Sequence, residues 1–364
     1  MILSICIPTF NRSQKLENTI NCIASQIKEP LVNLVEVIVS DNHSTDSTDK
    51  VCNFYSKKYP FIKYHRQKIN LGAERNYFYT VENAIGKYIW LISDDDYICD
   101  DAIKKIITSL QRNENIGMLF LNYQYYSIEE RGTLYPSRCK ANADVMIGET
   151  KDFYKYIQFA NSFIASSIYN RKKWLEIAPK YYSIKDYWPQ LYIGNHLIES
   201  KEKVLLLAST FTLIENEHIL VSRLEKKSQG DDHFYLDAHL MFGRFVKSLK
   251  EKSARNSGIN IFCKDNLWQI LVYKKITIKY DISYLYQVFG KMKEIYFSRE
   301  RYRFWLLDVP ILFLPGFVGS SCYYLYQFLP MVNSWKFSNQ KSKQFLYHVY
   351  RVVKKNKNII FNAK

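Results

Sequence analysis

Short apolar runs alternate with amphipathic segments along residues 1–125 of the chain. The apolar runs have the length of buried β-strands, and they fall at residues 2–7, 34–39, 62–65, 88–92 and 118–123. Apolar residues at helical spacing lie between them, on Leu16, Ile20, Ile23 and Ile27, then after residues 44–49, over 72–84 and over 101–112. Ser13 is expected to cap the first helix and Gly86 to stop the third. Strands and helices that alternate in this way predict an α/β fold with a mostly parallel sheet.

The alternation weakens after residue 124. Residues 163–169 and 204–213 are expected to form strands, and the aromatic-rich stretch 181–194 is expected to be irregular. Helical periods prevail beyond a polar run that ends at residue 230. The pattern therefore predicts an α/β domain over residues 1–230 and a mainly α-helical region over residues 231–364.

Positive charge is concentrated in the predicted helical region. The chain carries a net charge of +16, and residues 231–364 hold 22 Lys and Arg against 9 Asp and Glu. Such asymmetry indicates an anionic partner, either nucleic acid or a membrane surface. The seven cysteines are scattered and none has CxxC spacing, which favours neither a zinc site nor a disulfide framework and fits a reducing compartment. The N-terminal apolar run has no basic flank, so we interpret it as a first strand and not as a signal peptide.

The most apolar stretch covers residues 304–332. Asp308, Pro310, Pro315 and two glycines interrupt it, so it lacks the run of roughly 20 apolar residues that a spanning helix needs. Basic residues flank it on both sides. Two interpretations stay open: the stretch lies on an anionic membrane, or it packs as a helical hairpin.

Three acids, Asp94, Asp95 and Asp96, follow the apolar run 88–92 directly. Adjacent carboxylates repel one another and are costly to bury without a partner, so the pattern indicates a bound cation. Open α/β sheets also bind ligands at the carboxyl ends of their strands. The alternative is a solvated acidic turn in front of the helix at 101–112.

Polar residues suited to a nucleoside diphosphate follow the other predicted strands. Pro8-Thr9-Phe10-Asn11-Arg12 follows the first strand, Asp41-Asn42 follows the second, and Asn70-Leu71-Gly72 precedes a helix whose N-terminus is a natural anion site, with Arg75 one turn in. Each of these segments taken alone is ordinary turn chemistry. Because no GxGxxG is present, a dinucleotide-binding oxidoreductase is disfavoured.

Taken together, four blocks resemble glycosyltransferase family 2. They are Ile-Cys-Ile-Pro-Thr-Phe-Asn-Arg, Glu-Val-Ile-Val-Ser-Asp-Asn-His-Ser-Thr-Asp, Asn-Leu-Gly-x-x-x-Asn and Gly-Lys-Tyr-Ile-Trp-Leu-Ile-Ser-Asp-Asp-Asp. The resemblance is close over residues 2–125 and weaker to about residue 225. The Ser-Asp-Asp-Asp form and a later Asp-Tyr-Trp-Pro are most similar to abequosyltransferase-type enzymes of O-antigen assembly. The resemblance implies a GT-A fold, a nucleotide-sugar donor, inversion at the anomeric carbon, and Mg²⁺ or Mn²⁺ at an Asp-x-Asp motif.

The resemblance also implies roles for individual residues. The donor-binding positions would be Pro8, Thr9, Phe10, Asn11, Arg12, Asp41, Asn70, Gly72, Arg75, Asp94 and Asp95. Asp96 would hold the metal directly, with Asp94 near it, whereas Asp95 is expected mainly to shape the turn. His218 is a candidate third ligand or diphosphate contact, although a lone histidine is more often structural.

The general base that activates the acceptor hydroxyl is expected at Asp186, whose alternative role is that of a solvated loop acid. Tyr187 and Trp188 would stack on a sugar ring or belong to the core, and His233 is a weaker candidate in a closing loop. The Gln-x-x-Arg-Trp run and the membrane helices of processive relatives are not visible in the sequence. A single-addition enzyme is therefore expected.

The resulting hypothesis is a peripheral membrane protein that transfers a sugar, for example a deoxyhexose, to a lipid-linked oligosaccharide at the cytoplasmic face of the membrane. Transfer of a common hexose or N-acetylhexosamine in capsule or glycoprotein glycan synthesis is an alternative. A nucleic-acid-binding protein, suggested by charge alone, and a metal-dependent nucleotidyltransferase are alternatives of another class. The oligomeric state stays open.

Overall fold

A computed structural model describes residues 1–127, 132–133, 137–139, 141–182, 188–215 and 234–260. The strands are β1 (Leu3–Thr9), β2 (Val35–Asp41), β3 (Ile62–Arg66), β4 (Tyr88–Leu91), β5 (Tyr97–Ile98), β6 (Met118–Ser127), β7 (Gly132–Thr133), β8 (Val145–Ile147), β9 (Ser167–Asn170) and β10 (Val204–Glu215). The α-helices are α1 (Ser13–Gln26), α2 (Thr48–Lys58), α3 (Ala73–Glu82), α4 (Ala102–Arg112), α5 (Thr150–Tyr156), α6 (Arg171–Ile177), α7 (Pro189–Glu199), α8 (Phe234–Ser248) and α9 (Lys252–Asn260).

All ten strands belong to one sheet, whose main order is β3-β2-β1-β4-β9-β6-β10-β5. Strands β1 to β4 pair in parallel, as their alternation with helices predicted. Strand β9 runs antiparallel to both neighbours, β4 and β6, and β5 and β8 run antiparallel to β10. The prediction of a mostly parallel sheet therefore holds best for the N-terminal strands, because the weaker pattern of the later ones carried no information about strand direction.

Strands β1 and β2 are buried along their whole length. Their near-continuous apolar sequence is typical of parallel strands that are covered on both faces. On α1, the residues Leu16, Ile20 and Ile23 form part of the same core. These contacts place the carboxyl ends of β1, β2 and β4 side by side at one edge of the sheet.

Glu36 is a charged exception within β2. Its side chain is 1% exposed, and its carboxylate accepts hydrogen bonds from Ser4 Oγ at 2.5 Å, Lys63 Nζ at 2.6 Å and the backbone N–H of Ile85 at 2.7 Å. Burial alone would raise the pKa of Glu36, but these hydrogen bonds, with that from Lys63 foremost, hold it below its ordinary value. The group links β1, β2, β3 and the segment before β4.

Two predicted helix boundaries were wrong. Helix α1 begins at Ser13 itself, so Ser13 is not the N-cap residue. The backbone N–H of Ser13 donates a hydrogen bond of 3.0 Å to Asp46 Oδ2, which belongs to the loop after β2. Helix α3 ends at Glu82, before Gly86. Gly86 is instead required by close packing, because a Cβ there would lie 2.6 Å from Ser4 Oγ.

The later part of the domain also differs from expectation. The stretch 181–194, which was expected to be irregular, overlaps the first part of α7. Pro189 is the first residue of this helix, a position where the missing N–H of proline would have no partner within the helix anyway. The strand expected from residue 163 begins only at Ser167, after two short 3₁₀ turns. Helix α8 packs Phe245 against Phe159 and Tyr192, with ring centroids 6.2 and 4.9 Å apart.

The stretch 304–332 and the rest of the chain beyond residue 260 lie outside the described residues. Among the helices that the structure describes, none has the length and apolar character needed to cross a membrane.

Candidate donor and metal site

The register of the sheet brings Thr9 and Asp94 together. Cys6 of β1 pairs in parallel with Leu91 of β4, so three further residues along each chain reach Thr9 and Asp94 at the same sheet edge. Thr9 Oγ1 donates a hydrogen bond to Asp94 Oδ2 at 2.7 Å. The clustering of the strand-end residues Thr9 and Asp94, which the sequence predicted, is thus observed.

Asp94 is almost entirely buried, with 3% of its surface exposed. Besides the bond from Thr9, its Oδ1 accepts a hydrogen bond from Arg12 Nη1 at 2.9 Å, and its backbone oxygen accepts one from Thr19 Oγ1 at 2.9 Å. Burial raises the pKa of Asp94, and the charge of Arg12 partly offsets this rise. Both oxygens of this carboxylate therefore already have protein partners.

Asp95 shares the same arginine. Its Oδ2 lies 2.9 Å from Arg12 Nη1 and 3.4 Å from Lys15 Nζ, while Oδ1 accepts a hydrogen bond from Ser93 Oγ at 2.5 Å. Although burial opposes the shift, Arg12 and then these hydrogen bonds lower the pKa of Asp95. The bond to Ser93 shapes the turn, and the two cations make Asp95 a charged anchor as well.

Asp96 is placed differently from the other two acids. Its Oδ2 accepts a hydrogen bond from the backbone N–H of Ser93 at 2.6 Å. Burial, together with repulsion from Asp95 and Asp94, raises the pKa of Asp96 well above its ordinary value. Within the described ranges Asp96 forms no ion pair, whereas Arg12 pairs with both Asp94 and Asp95 and Lys15 pairs with Asp95.

A divalent cation fits this distribution of charge, since the turn carries three carboxylates and only two of them pair with a basic side chain among the described residues. Carboxylate oxygens are the ligands that Mg²⁺ and Mn²⁺ prefer, and Mg²⁺ often uses one or two of them together with substrate phosphates. Across the described residues, no group of three His, Cys, Asp or Glu side chains is arranged to hold a metal ion.

The loops after β1 and β2 are cross-linked beside this cluster. Asp41 is fully buried, and its carboxylate accepts hydrogen bonds from Ser44 N at 2.8 Å and Tyr64 Oη at 2.9 Å. Asn11, which adopts a positive φ of 53°, accepts a hydrogen bond from Thr45 N at 2.7 Å. Phe10 lies two residues after the buried Pro8 and is 41% exposed, so its ring is accessible at this edge.

Asn42 joins the second strand end to the predicted diphosphate loop. Its side chain donates to Asn70 Oδ1 at 2.8 Å and accepts from Leu71 N at 2.8 Å. Asn70 in turn accepts a hydrogen bond from the N–H of Gly72, which precedes α3 with a φ of 84° that favours glycine. The residues Asn70 and Gly72 are therefore held next to the β2 edge, at the N-terminus of a helix.

Several neighbours of the site were missed from the sequence. Lys15, Thr19 and Ser93 contact the acids, and Asn42 was seen only as the residue beside Asp41. Tyr77 lies in the helix that was predicted over residues 72–84, and the sequence assigned it no role in the site. Burial and the charges of Asp94 and Glu74 raise the pKa of the Tyr77 hydroxyl to about 12. Lys15 lies three residues, about one helical turn, after Arg12, and this spacing was the available sequence signal for its contact with Asp95.

The remaining predicted residues lie elsewhere. Arg75 pairs with Glu82 at 2.8 Å and lies over the ring of Tyr182. Trp188 is half-buried and immediately precedes α7. The predicted base Asp186, the candidate ligand His218 and their neighbours Tyr187 and His233 lie outside the described residues.

Comparison with known proteins identifies the class. Residues 4–175 match the model of glycosyl transferase family 2. The chain is 38% identical over 117 residues to abequosyltransferase RfbV of Salmonella typhimurium, a match that covers 32% of this chain and 34% of that protein. It is 32% identical over 133 residues to the GalNAc(5)-diNAcBac-PP-undecaprenol beta-1,3-glucosyltransferase of Campylobacter jejuni, with 36% of this chain and 40% of that protein covered.

A solved structure shows the same fold over a longer stretch. Residues 1–349 of S. aureus TarS, in complex with UDP, match with a TM-score of 0.57 at 15% identity, covering 81% of this chain and 80% of that one. The α/β domain described above therefore has the GT-A fold. Its residues 4–175 belong to glycosyltransferase family 2, and the predicted family, fold and similarity to abequosyltransferase are confirmed.

Proposed function

We propose that this protein transfers a sugar from a nucleotide-sugar donor to an acceptor hydroxyl, with inversion and with the help of a divalent metal. The observation that carries the proposal is the acid cluster at the end of β4, in which Arg12 and Lys15 pair with Asp94 and Asp95 while Asp96 has no basic partner in the described part of the chain. An enzyme that must bind a diphosphate and a cation together needs such an uncompensated carboxylate.

The donor would lie along the edge formed by β1, β2 and α3. Phe10 offers an exposed ring for the nucleobase, and Asn11 and Asp41 stabilise the loops around it. The N-terminus of α3, with Asn70 and Gly72, would face the diphosphate, because backbone N–H groups and the helix dipole favour negative charge there. Pro8 and Thr9 fix the end of β1, and Thr9 orients Asp94.

Asp96, with Asp94 beside it, would hold Mg²⁺ or Mn²⁺. The chemistry that the ion supplies is neutralisation of the charge that grows on the departing diphosphate. Asp95 and Arg12 keep the turn in place. His218 is proposed as a further ligand or diphosphate contact.

The acceptor hydroxyl would attack the anomeric carbon from the face opposite the leaving group. A new C–O bond forms, the bond to the diphosphate breaks, and the nucleoside diphosphate leaves. Asp186 would accept the proton of the hydroxyl. Trp188 precedes α7 and lies two residues further along the chain, where its ring could contact an acceptor sugar.

A lipid-linked oligosaccharide is the proposed acceptor, with a single addition per acceptor in surface polysaccharide or O-antigen synthesis. Two similar proteins support this choice, since one is named an abequosyltransferase and the other is named for an acceptor on PP-undecaprenol. The excess of 22 Lys and Arg over 9 Asp and Glu in residues 231–364 suits an anionic membrane surface at the cytoplasmic face. A deoxyhexose is the first donor sugar to examine.

The test is a donor screen with the purified full-length protein. Nucleotide sugars are incubated with and without Mg²⁺ or Mn²⁺, and release of the nucleoside diphosphate is measured before and after addition of EDTA. We expect slow, metal-dependent release from one donor, accelerated by a lipid-linked acceptor. Release of pyrophosphate instead would indicate a nucleotidyltransferase, and salt-sensitive binding to RNA but not to anionic liposomes would contradict the membrane partner.

A further inference from the structure

Helix α2 has a basic and aromatic outer face. Five of its residues are exposed, and helical spacing places them on one side of the helix: Lys50, Asn53, Phe54, Lys57 and Lys58. These five residues are called the α2 face below. The opposite side of the helix, with Cys52 and Tyr55, is buried in the core. The α2 face therefore has no role in packing the domain.

Phe54 is the apolar centre of this face and is 57% exposed. Its ring meets the ring of the buried Tyr55 edge-on, with centroids 5.1 Å apart, and Tyr55 Oη donates a hydrogen bond to Asn21 Oδ1 at 2.8 Å. Lys58 Nζ lies 5.7 Å from the centre of the Phe54 ring and 5.1 Å from that of Tyr59. An exposed aromatic ring is thus held in place on the surface with a cation beside it.

The charge around Phe54 has a single sign. Residues 50–73 contain six Lys and Arg and no Asp or Glu. Two of these six have acidic partners: Lys63 Nζ lies 2.6 Å from the Glu36 carboxylate, and Arg66 lies 3.8 Å from that of Asp49. The three lysines of the α2 face form no ion pair with any residue that the structure describes. Their charges are therefore available to an anionic partner.

A bilayer with anionic headgroups matches this arrangement. Lysine stems lie along apolar surface while their ammonium groups reach the phosphates, and an aromatic ring between them reaches the boundary of the acyl chains. Along the helix axis, Lys50 and Lys57 lie about 6 Å and about 4.5 Å from Phe54, so a flat surface can contact all three. Single-stranded nucleic acid instead stacks its bases on rings within a groove, whereas Phe54 stands on a convex helix.

The position of α2 in the fold permits this contact. Strand β3 is the terminal strand of the main sheet order, and α2 is the crossover that connects β2 to it. The α2 face contains none of the residues proposed to bind the donor or the metal. A membrane on this side of the domain would therefore leave the donor edge open to substrates.

We propose that the α2 face, centred on Phe54 and its flanking lysines, is a docking surface for an anionic membrane. It would act in addition to the basic residues 231–364, so that two separate contacts hold the protein on the bilayer. Two linked contacts bind much more tightly than either alone, because the second forms at high effective concentration. The choice of a membrane rests on the proposed function, in which the acceptor is lipid-linked.

Lysine footprinting of the wild-type full-length protein tests where the membrane lies. The protein is acetylated briefly with and without vesicles of equal parts phosphatidylcholine and phosphatidylglycerol, and each lysine is followed by mass spectrometry. We expect Lys57 and Lys58 to be protected by these vesicles and not by phosphatidylcholine alone. Lys104 and Lys105, a pair of exposed lysines on α4, are the internal control and should react at an unchanged rate. Equal reactivity of Lys57 and Lys58 with and without vesicles, or protection by RNA alone, would overturn the inference.

Two variants measure the strength of the contact. Lys57→Ala with Lys58→Ala should weaken binding to the anionic vesicles at least about 10-fold, because each lysine near such a surface contributes substantially. The matched control removes Lys104 and Lys105 in the same way and should bind nearly as well as the wild type. Phe54→Ala should also weaken binding, whereas Ile85→Ala, at a residue with a similar exposure of 58%, should not.

Activity separates docking from catalysis. The α2 variants should transfer sugar to a water-soluble acceptor at the wild-type rate and lose rate only with a lipid-linked acceptor in vesicles. An equal loss with both acceptors would contradict a docking role while leaving the proposed function in place. A wild-type protein that transfers sugar from none of the donors would overturn the proposed function, whereas the footprint on α2 would still decide whether this face binds membranes.

Discussion

Arg12 Nη1 donates a hydrogen bond to Asp94 Oδ1 at 2.9 Å, and the same nitrogen lies 2.9 Å from Asp95 Oδ2. One guanidinium at the end of β1 thus bridges two consecutive carboxylates at the end of β4. The contact compensates the charge of the most buried acid of the turn, whereas the third acid, Asp96, has no basic partner among the described residues. The arginine of the first strand end and the acids of the fourth therefore act as one unit.

Arg12→Met should destabilise the fold as well as the site. The change leaves Asp94 buried without its cation, and an unsatisfied charged group of this kind costs about 2 kcal/mol in the free energy of unfolding. Urea denaturation would measure the loss. Lys15→Met is the control, because Lys15 pairs at 3.4 Å with the partly exposed Asp95 whereas Arg12 also pairs with the buried Asp94, so the loss in the Lys15 variant should be much smaller. Equal stability of the two variants would contradict the role given to Arg12.

Asp96→Asn should abolish transfer with little change in stability. An asparagine oxygen can still accept the hydrogen bond from Ser93 N, and no ion pair among the described residues is lost, whereas the negative charge that would hold a metal is removed. We expect kcat to fall at least about 100-fold and calorimetric binding of Mn²⁺ in the presence of nucleoside diphosphate to disappear.

Asp95→Asn provides the contrast to this variant. It loses contacts with Arg12 and Lys15, so it should lower the unfolding free energy yet keep measurable binding of Mn²⁺. Full activity of purified Asp96→Asn would exclude Asp96 as the metal ligand.

Asp186→Asn should reduce turnover by about 100-fold to 10 000-fold, because a positioned general base contributes a factor of that size. Donor affinity should be nearly unchanged, since the base acts on the acceptor. Steady-state kinetics with the donor and a lipid-linked acceptor, together with direct titration of the donor, would separate the two quantities. A variant that transfers at the wild-type rate would require another base.

The strand-end residues of the site could be predicted from the sequence, because parallel strands separated by helices place their carboxyl ends at one edge. Thr9 and Asp94 follow from that rule alone. The direction of Arg75 could not be predicted, since a side chain one turn into a helix can reach either the N-terminus or Glu82. The hydrogen bond from the backbone N–H of Ser13 to Asp46 could not be predicted either, because the acceptor lies 33 residues away in a loop. The helix at Pro189 had a sequence signal, a proline at a first helical position, which the aromatic composition obscured.

Glu36 predicts how the stability of the domain depends on pH. Its hydrogen bonds, from Lys63 first, hold its pKa in the folded protein below the ordinary value of 4.5. The unfolded chain therefore binds more protons than the folded one in this range, so stability rises with pH. The contribution of Glu36 is fully present above the ordinary pKa and is lost as the pH falls through the lowered one.

Glu36→Gln should accordingly remove part of this acid sensitivity. At pH 7 the variant should be about 1–3 kcal/mol less stable, because the amide replaces an acceptor that Lys63 needs. The difference from the wild type should shrink as the pH falls below the ordinary pKa of 4.5 and the wild-type carboxylate becomes protonated. Urea unfolding across this pH range measures both curves, with Glu149→Gln as the control, since the side chains of Glu149 and Lys201 are 66% and 70% exposed and their pair contributes little. A stability gap that stays constant with pH would show that Glu36 is not the group whose protonation weakens the fold.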